Sequence, residues 1–466
     1  MTIAVFGTFD VANYGDLLFP LLAGRRLAAI DESACAVAPT ACRPMQDAAP
    51  TRSVDELLDP GDADGPISDL SGVLLGGGNL LHASATSRVY GALDPPRPFA
   101  YPSLWMGAAQ LATRRGVPLA WNAPGVPAPL APAAAAALSL ASREARPRAV
   151  RDEGSRALLA AAGIEAEVVP DTGLDVSELW DLDELLDVHR GLAGDVAADG
   201  RTVAFHVSPR RVLDDTTALA VAFDAIAKGL DATPLLVAVG PCHDDGALLE
   251  RIAAELDRPA IVLANPQRLV EIAAAIAGSV AYFGSSMHGA ITAVAYGRRA
   301  ALVAARADHK LAGLCDHLQG ALPRHERWAE AVAAVETLPS EDAVGEAVAA
   351  ARQRLDAHWQ GVLASLAGPA RKNTDVDDAG LMRRLLEEVL AETAVRARQL
   401  GDGLDRAREV IGIRETRLAR TDLELAKLRA ECARLKTALE DTERDRSIIA
   451  KLAAAQPGQA PPPDAS

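Results

Sequence analysis

Short apolar runs recur through the first 305 residues: Ile3–Phe6, Val73–Leu75, Leu119–Trp121, Val168–Val169, Val203–Val207, Leu235–Val239, Ile261–Leu263, Val280–Phe283 and Ala301–Val303. Ala- and Leu-rich stretches of helical length separate most of them. Strands buried on both faces read as unbroken apolar runs, and their alternation with helices predicts doubly wound parallel α/β sheets. Ligands on such sheets bind beyond the carboxyl ends of the strands. The residues just after each run are therefore the ones to inspect.

A polar, Gly-containing stretch at 195–201 precedes the fresh run TVAFHV. It divides the pattern into two Rossmann-like lobes, expected at 1–195 and 196–325. A helical segment at 326–367 follows, with helices over Trp328–Val335 and Glu341–Leu366, and then a linker at 368–380. From 381 to 452 apolar residues repeat every seven positions: Leu404, Ile411, Leu418, Leu425, Cys432 and Leu439. The positions three residues later (Ala407, Arg414, Thr421, Leu428, Leu435, Thr442) complete an a/d pattern that predicts a coiled coil and, through it, a homo-oligomer. Arg414 and Thr421 weaken that seam. The tail at 453–466 has a disordered composition.

Charge narrows the possible partners. Lys plus Arg is 47 and Asp plus Glu is 63, a net charge of −16. Such an acidic chain has no general electrostatic attraction for nucleic acid, and an anionic substrate needs a local, built-in positive site. The 5 cysteines are scattered without a CxxC pair, which indicates neither a zinc ribbon nor a disulfide framework. The N-terminus reads as a strand rather than a signal peptide, and no apolar run is long enough to span a membrane. A cytoplasmic location is expected.

Four strand ends carry candidate chemistry. In GTFDVANYGD (7–16), Asn13 and Asp16 precede a helical run. Capping accounts for one of them; Asp16 is a candidate base or an orienter of an acceptor hydroxyl. In GGGNLLH (76–82), Gly77, Gly78 and Asn79 offer backbone N–H groups for close approach to a ligand. In VAFHVSPRR (203–211), Arg210 and Arg211 bring planar forks suited to phosphate or carboxylate. In FGSSMHG (283–289), Ser285 or Ser286 fits a helix N-cap, and His288 lies in the first turn. The unpaired N–H groups and dipole of that turn favour an anion.

Taken in order, GTFDVANYGD, GVLLGGGNLLH, PLAWNAPGV, AVRDEGSRALLAAAGIEAEVVPDTG, TVAFHVSPRR and YFGSSMHGAITAVAYG resemble the polysaccharide pyruvyl transferase family over residues 1–305. The resemblance implies a fold like that of the two-lobed GT-B glycosyltransferases. It also implies transfer of a pyruvyl group from phosphoenolpyruvate to a sugar of a cell-surface polysaccharide or its precursor, giving a cyclic ketal. No cofactor beyond the donor substrate and no metal are expected, since no His/Asp/Glu cluster has ligand spacing. His288 matches the histidine of the family's Arg-Leu-His motif, as phosphate ligand or general acid. Met287 matches the leucine, and Ser286 stands in the place of the arginine. A second family arginine matches Arg210 or Arg211. Asp16, Asn13 and Asp171 are secondary candidates on the acceptor side. Two other readings remain: a nucleotide-sugar glycosyltransferase on the same architecture, and a non-catalytic scaffold that recruits partners through its coiled coil.

Overall fold

The computed structural model describes residues 1–58, 67–83, 90, 100–197, 200–209, 211–240, 242, 244–304, 308–368, 384, 387–389 and 391. Contacts group Met1–Ala394 into one unit and Val395–Ser466 into another. The expected coiled coil at 381–452 lies outside the described residues, apart from the few positions between 384 and 391, as does the tail.

Within the first unit the strands form two parallel sheets. The first contains β1 (Thr2–Phe6), β2 (Ser33–Ala38), β3 (Thr51–Ser53), β4 (Leu70–Leu75), β5 (Leu119–Trp121), β6 (Ala145–Val150) and β7 (Glu167–Val168), in the order β3-β2-β1-β4-β5-β6-β7. The second contains β8 (Thr202–His206), β9 (Thr233–Val237), β10 (Ile261–Leu263), β11 (Ala281–Gly284), β12 (Arg299–Val303) and β13 (Arg324–His325), in the order β10-β9-β8-β11-β12-β13. Each order reverses once, between β1 and β4 and between β8 and β11, and such switch points open ligand crevices. These are two Rossmann-like lobes in a GT-B-like α/β arrangement.

Burial on both faces explains the apolar runs of the central strands. On β1, Ile3 and Val5 point into one core with Phe19 and Trp359, while Ala4 and Phe6 point into another with Trp105 and Trp121. On β8, Val203 and Phe205 face Phe223 and Trp328, and Ala204 faces the opposite layer. A third core joins the lobes: Tyr14, Leu18 and Leu22 of the helix Tyr14–Leu27 pack with Ala290 and Ile291 of the helix Met287–Ala295.

The strands β2, β3, β6 and β13 are not among the apolar runs singled out from the sequence. β6 reads ARPRAV, and its two arginines hide a strand that is fully buried only at Ala145, Ala149 and Val150. The boundary expected at 195/196 also falls one helix later than the packing does. The helix Leu182–Ala193 lies on the second lobe: His189 Nδ1 is 3.1 Å from the Ala274 carbonyl, and its Nε2 is 3.1 Å from Thr202 Oγ1. Its ring fills the space a Cβ at Gly278 would need.

The helix Glu341–Leu366 belongs to neither lobe alone. Val344, Val348 and Leu355 join the core between the lobes, and Trp359, Val362 and Leu366 pack under the first sheet. Among the described residues, no helix is long and apolar enough to cross a membrane.

Candidate active site

The carboxyl ends of both sheets face a cavity of about 590 Å³. The first lobe contributes Thr8, Asn13 and Asp16 after β1, Gly78 and Asn79 after β4, and Arg151 after β6. The second lobe contributes His206 at the end of β8, Ser208 and Arg211 after it, Asp245 after β9, Ser285, Ser286 and His288 after β11, and Asp308, His309 and Lys310 after β12.

His288 is placed by three local choices. Ser286 is the N-cap of the helix Met287–Ala295, its Oγ accepting the Gly289 N–H at 3.2 Å. Helix geometry then directs the second helical residue across the cleft. The imidazole meets Phe19 edge-on with ring centroids 5.4 Å apart, and Nε2 lies 3.6 Å from Asp171 Oδ1. The ring fits only because residue 15 is glycine: a Cβ there would stand 1.8 Å from His288 Nδ1. The sequence Asn13-Tyr14-Gly15-Asp16 thus makes room at the start of one helix for a side chain from the start of another.

Asp171 anchors this pair. It accepts the Gly173 N–H at 2.9 Å and Arg151 Nη1 at 3.0 Å. Burial alone would raise its pKa, but the bond and charge of His288, the Arg151 guanidinium and the Gly173 N–H hold it well below the usual carboxylate range. Arg151 is itself fixed on its other side, with Nη2 2.5 Å from Asn79 Oδ1.

The remaining charges form an alternating group. Asp16 takes a 2.9 Å hydrogen bond from Asn13 Nδ2. Burial pushes its pKa up, against the opposing charges of His288, Arg151 and Lys310. Arg211 bonds to Asp308, which also caps the helix His309–His317 by accepting the Lys310 N–H at 3.1 Å. Burial, with the like charges of Arg211 and Arg151, pushes Lys310 down to about 8, although Asp308 and Asp16 oppose the shift. An acidic chain has thereby collected three cationic side chains around one cavity.

Of the residues singled out from sequence, Asn13, Asp16, Gly78, Asn79, Arg211, Ser285, Ser286 and His288 line this cavity. Gly77 does not: a Cβ there would strike the Phe19 ring at 2.2 Å, so its smallness serves packing behind the cavity wall. Arg210 lies outside the described residues. Asp171, expected on the acceptor side, does not line the cavity; it contacts Arg151 and His288, which do. Sequence reasoning missed Arg151, Lys310, Asp308, His206 and Asp245 as site residues. His206 is the last residue of β8 and the others follow a strand end, the same signal that flagged the rest, but β6 is masked by its arginines. Among the described residues, no group of three or more His, Cys, Asp or Glu side chains is placed to hold a metal ion.

The sequence model of the polysaccharide pyruvyl transferases matches residues 13–305, the stretch that supplies the cavity except for Thr8, Val11 and Asp308–Lys310. The chain belongs to this family. No curated protein sequence matches it. Among solved structures, UDP-GlcNAc 2-epimerase from Neisseria meningitidis, bound to UDP-GlcNAc, is similar at 11% identity and a TM-score of 0.42, covering 76% of this chain and 99% of its own. UDP-N-acetylglucosamine 2-epimerase from Rickettsia bellii is similar at 11% identity and a TM-score of 0.43, covering 78% and 96%. The UDP-GlcNAc 2-epimerase of Methanocaldococcus jannaschii is similar at 11% identity and a TM-score of 0.41, covering 83% and 100%.

Proposed function

We propose that the protein transfers a pyruvyl group from phosphoenolpyruvate to two hydroxyls of a sugar in a cell-surface polysaccharide or its precursor, forming a ketal. The observation that carries this reading is the convergence of Arg151, Arg211, Lys310 and a helix start bearing His288 on one cavity, with Asp16 among them. The donor has a phosphate and a carboxylate. Cationic forks and helix N–H groups match such groups because they are fixed before the reaction begins. Lys310 supplies the charge that is missing at Ser286, where the family has arginine.

Asp16, with its raised pKa, gives a proton to the methylene carbon, and an oxocarbenium-like centre forms next to it. Asp171 holds His288 facing the phosphate. One sugar hydroxyl adds and gives up its proton, phosphate leaves with a proton, and the second hydroxyl closes the ring as its own proton returns to Asp16. The first-lobe wall, with Asn13 and Asn79, takes the acceptor.

The test pairs calorimetry of phosphoenolpyruvate binding with phosphate release in the presence of surface-glycan precursors. Donor binding and acceptor-dependent release are expected, both lost in Arg151→Met. Neither donor binding nor release with any precursor overturns the reading. Thermal stabilisation by nucleoside diphosphates alone favours a glycosyltransferase instead.

A further inference from the structure

The second lobe contains a hydrogen-bonded line that the steps above leave idle. It runs from Asp245 through His206 to Ser285. The sheet order β9-β8-β11 makes their three strands neighbours, so side chains at the three carboxyl ends meet in sequence across the cavity floor. Asp245 Oδ2 is 3.0 Å from His206 Nε2, and His206 Nδ1 is 3.5 Å from Ser285 Oγ. All three side chains are more than nine-tenths buried, and all three line the cavity.

The polarity of the line follows from what each atom can do. A carboxylate only accepts, so His206 Nε2 carries the proton facing Asp245. Nδ1 then presents its lone pair to Ser285. Ser285 Oγ already accepts the Ser208 N–H at 2.8 Å, which turns its own hydrogen toward His206. Asp245 Oδ2 is fixed in turn by the Gly240 N–H at 3.0 Å. Both ends are thus held by backbone, and a proton path leads from the cavity through Ser285 to His206. A base oriented by a carboxylate and bonded to a hydroxyl is the arrangement that activates an oxygen nucleophile.

We propose that Asp245, His206 and Ser285 form a proton relay that deprotonates the attacking hydroxyl of an alcohol substrate. The identity of that hydroxyl as the acceptor sugar's rests on the pyruvyl-transfer reading; the polarity of the relay does not. As the sugar oxygen bonds to the cationic carbon, its proton passes to Ser285 Oγ while the Ser285 proton passes to His206 Nδ1. The imidazolium is held by Asp245. The proton then returns by the same path to the departing phosphate, so the histidine ends neutral and the phosphate leaves protonated. Ser285 is the group that touches substrate, and His206 and Asp245 act through it.

Two measurements on the full chain test this. Nitrogen-15 NMR of wild-type protein reads the His206 tautomer without any substrate: a proton on Nε2 and none on Nδ1 is expected, and the reverse overturns the relay. Phosphate release from phosphoenolpyruvate then reads its use. Ser285→Ala and Asp245→Asn should each lower kcat by roughly 10²- to 10⁴-fold, the range of general-base catalysis, with donor and acceptor KM unchanged. Ser285→Thr, which keeps the hydroxyl, should recover much of the rate and controls for folding. A wild-type kcat in Ser285→Ala overturns the relay. Absence of phosphate release in the wild type overturns the transfer reading instead, and the tautomer measurement still decides the relay's polarity.

Discussion

At the scale of residues, the site depends on one missing methyl and one displaced pKa. Gly15 lies against His288, and an added Cβ would sit 1.8 Å from Nδ1. Gly15→Ala must therefore push the imidazole away from Asp171 or part the two helix starts. Because a displacement of about 1 Å costs about 100-fold in a positioned reaction, kcat should fall by that order while the melting transition stays cooperative. Steady-state kinetics with a thermal melt checks it. Lys310 makes a second prediction. Its pKa near 8 means the charge is present below that pH and lost as pH rises through it. Anion affinity follows the charged form, so the calorimetric Kd for phosphoenolpyruvate should be flat below pH 7 and weaken by up to about tenfold per unit above 8. Lys310→Arg, whose charge persists throughout, should remove that dependence.

At the scale of elements, helix starts do the organising, and they are capped in two ways. Ser286 and Asp308 cap their own helices and thereby aim His288 and Lys310. The helix Leu269–Ala277 has no side-chain N-cap bond of its own from Arg268. Its first N–H groups are taken by Asp47 of the other lobe, at 2.6 Å from Leu269 and 3.1 Å from Val270. A cap supplied across the cleft contributes only while the lobes are together. Asp47→Ala should cost about 1 kcal/mol of the closed arrangement and raise the donor KM. Hydrogen exchange at the Leu269 and Val270 amides is the direct readout: protection equal to wild type would show that Asp47 does not latch the lobes.

At the scale of the whole molecule, the two lobes of the first unit share one apolar core and one strap. Arg26 of the first lobe bridges Asp175, Glu178 and Asp356, and Trp359 Nε1 donates to Asp175 Oδ2 at 3.2 Å. The closing helix thus ties the connection between the lobes to the first sheet. The charge balance also belongs to this scale: a net −16 keeps anions away except where Arg151, Arg211 and Lys310 are gathered. The heptads after residue 381 carry a prediction about assembly. We propose that they join copies of the chain, so the full protein should sediment as an oligomer, and removal of residues 381–466 should reduce it to a single chain. A full-length monomer in the ultracentrifuge would end that proposal.

The sequence by itself determined the architecture. Unbroken apolar runs demand strands covered on both faces, and that is why β1, β4, β8, β11 and β12 were legible, together with the glycine, serine and histidine at their ends. It determined that His288 would stand in the first turn of a helix, since Ser286 caps locally. A strand whose burial is partial, such as β6 with its two arginines, left no apolar run to read. Only the tertiary structure decided which strand ends share a cavity. Arg151, Asp171 and His288 are separated by 20 and more residues, and no periodicity encodes their meeting. It also separated Gly77 from Gly78, neighbours in a glycine run, by placing Phe19 under one and the cavity beside the other. Local chemistry fixes what each strand end offers; sheet order and the closure of the lobes fix which offers are combined.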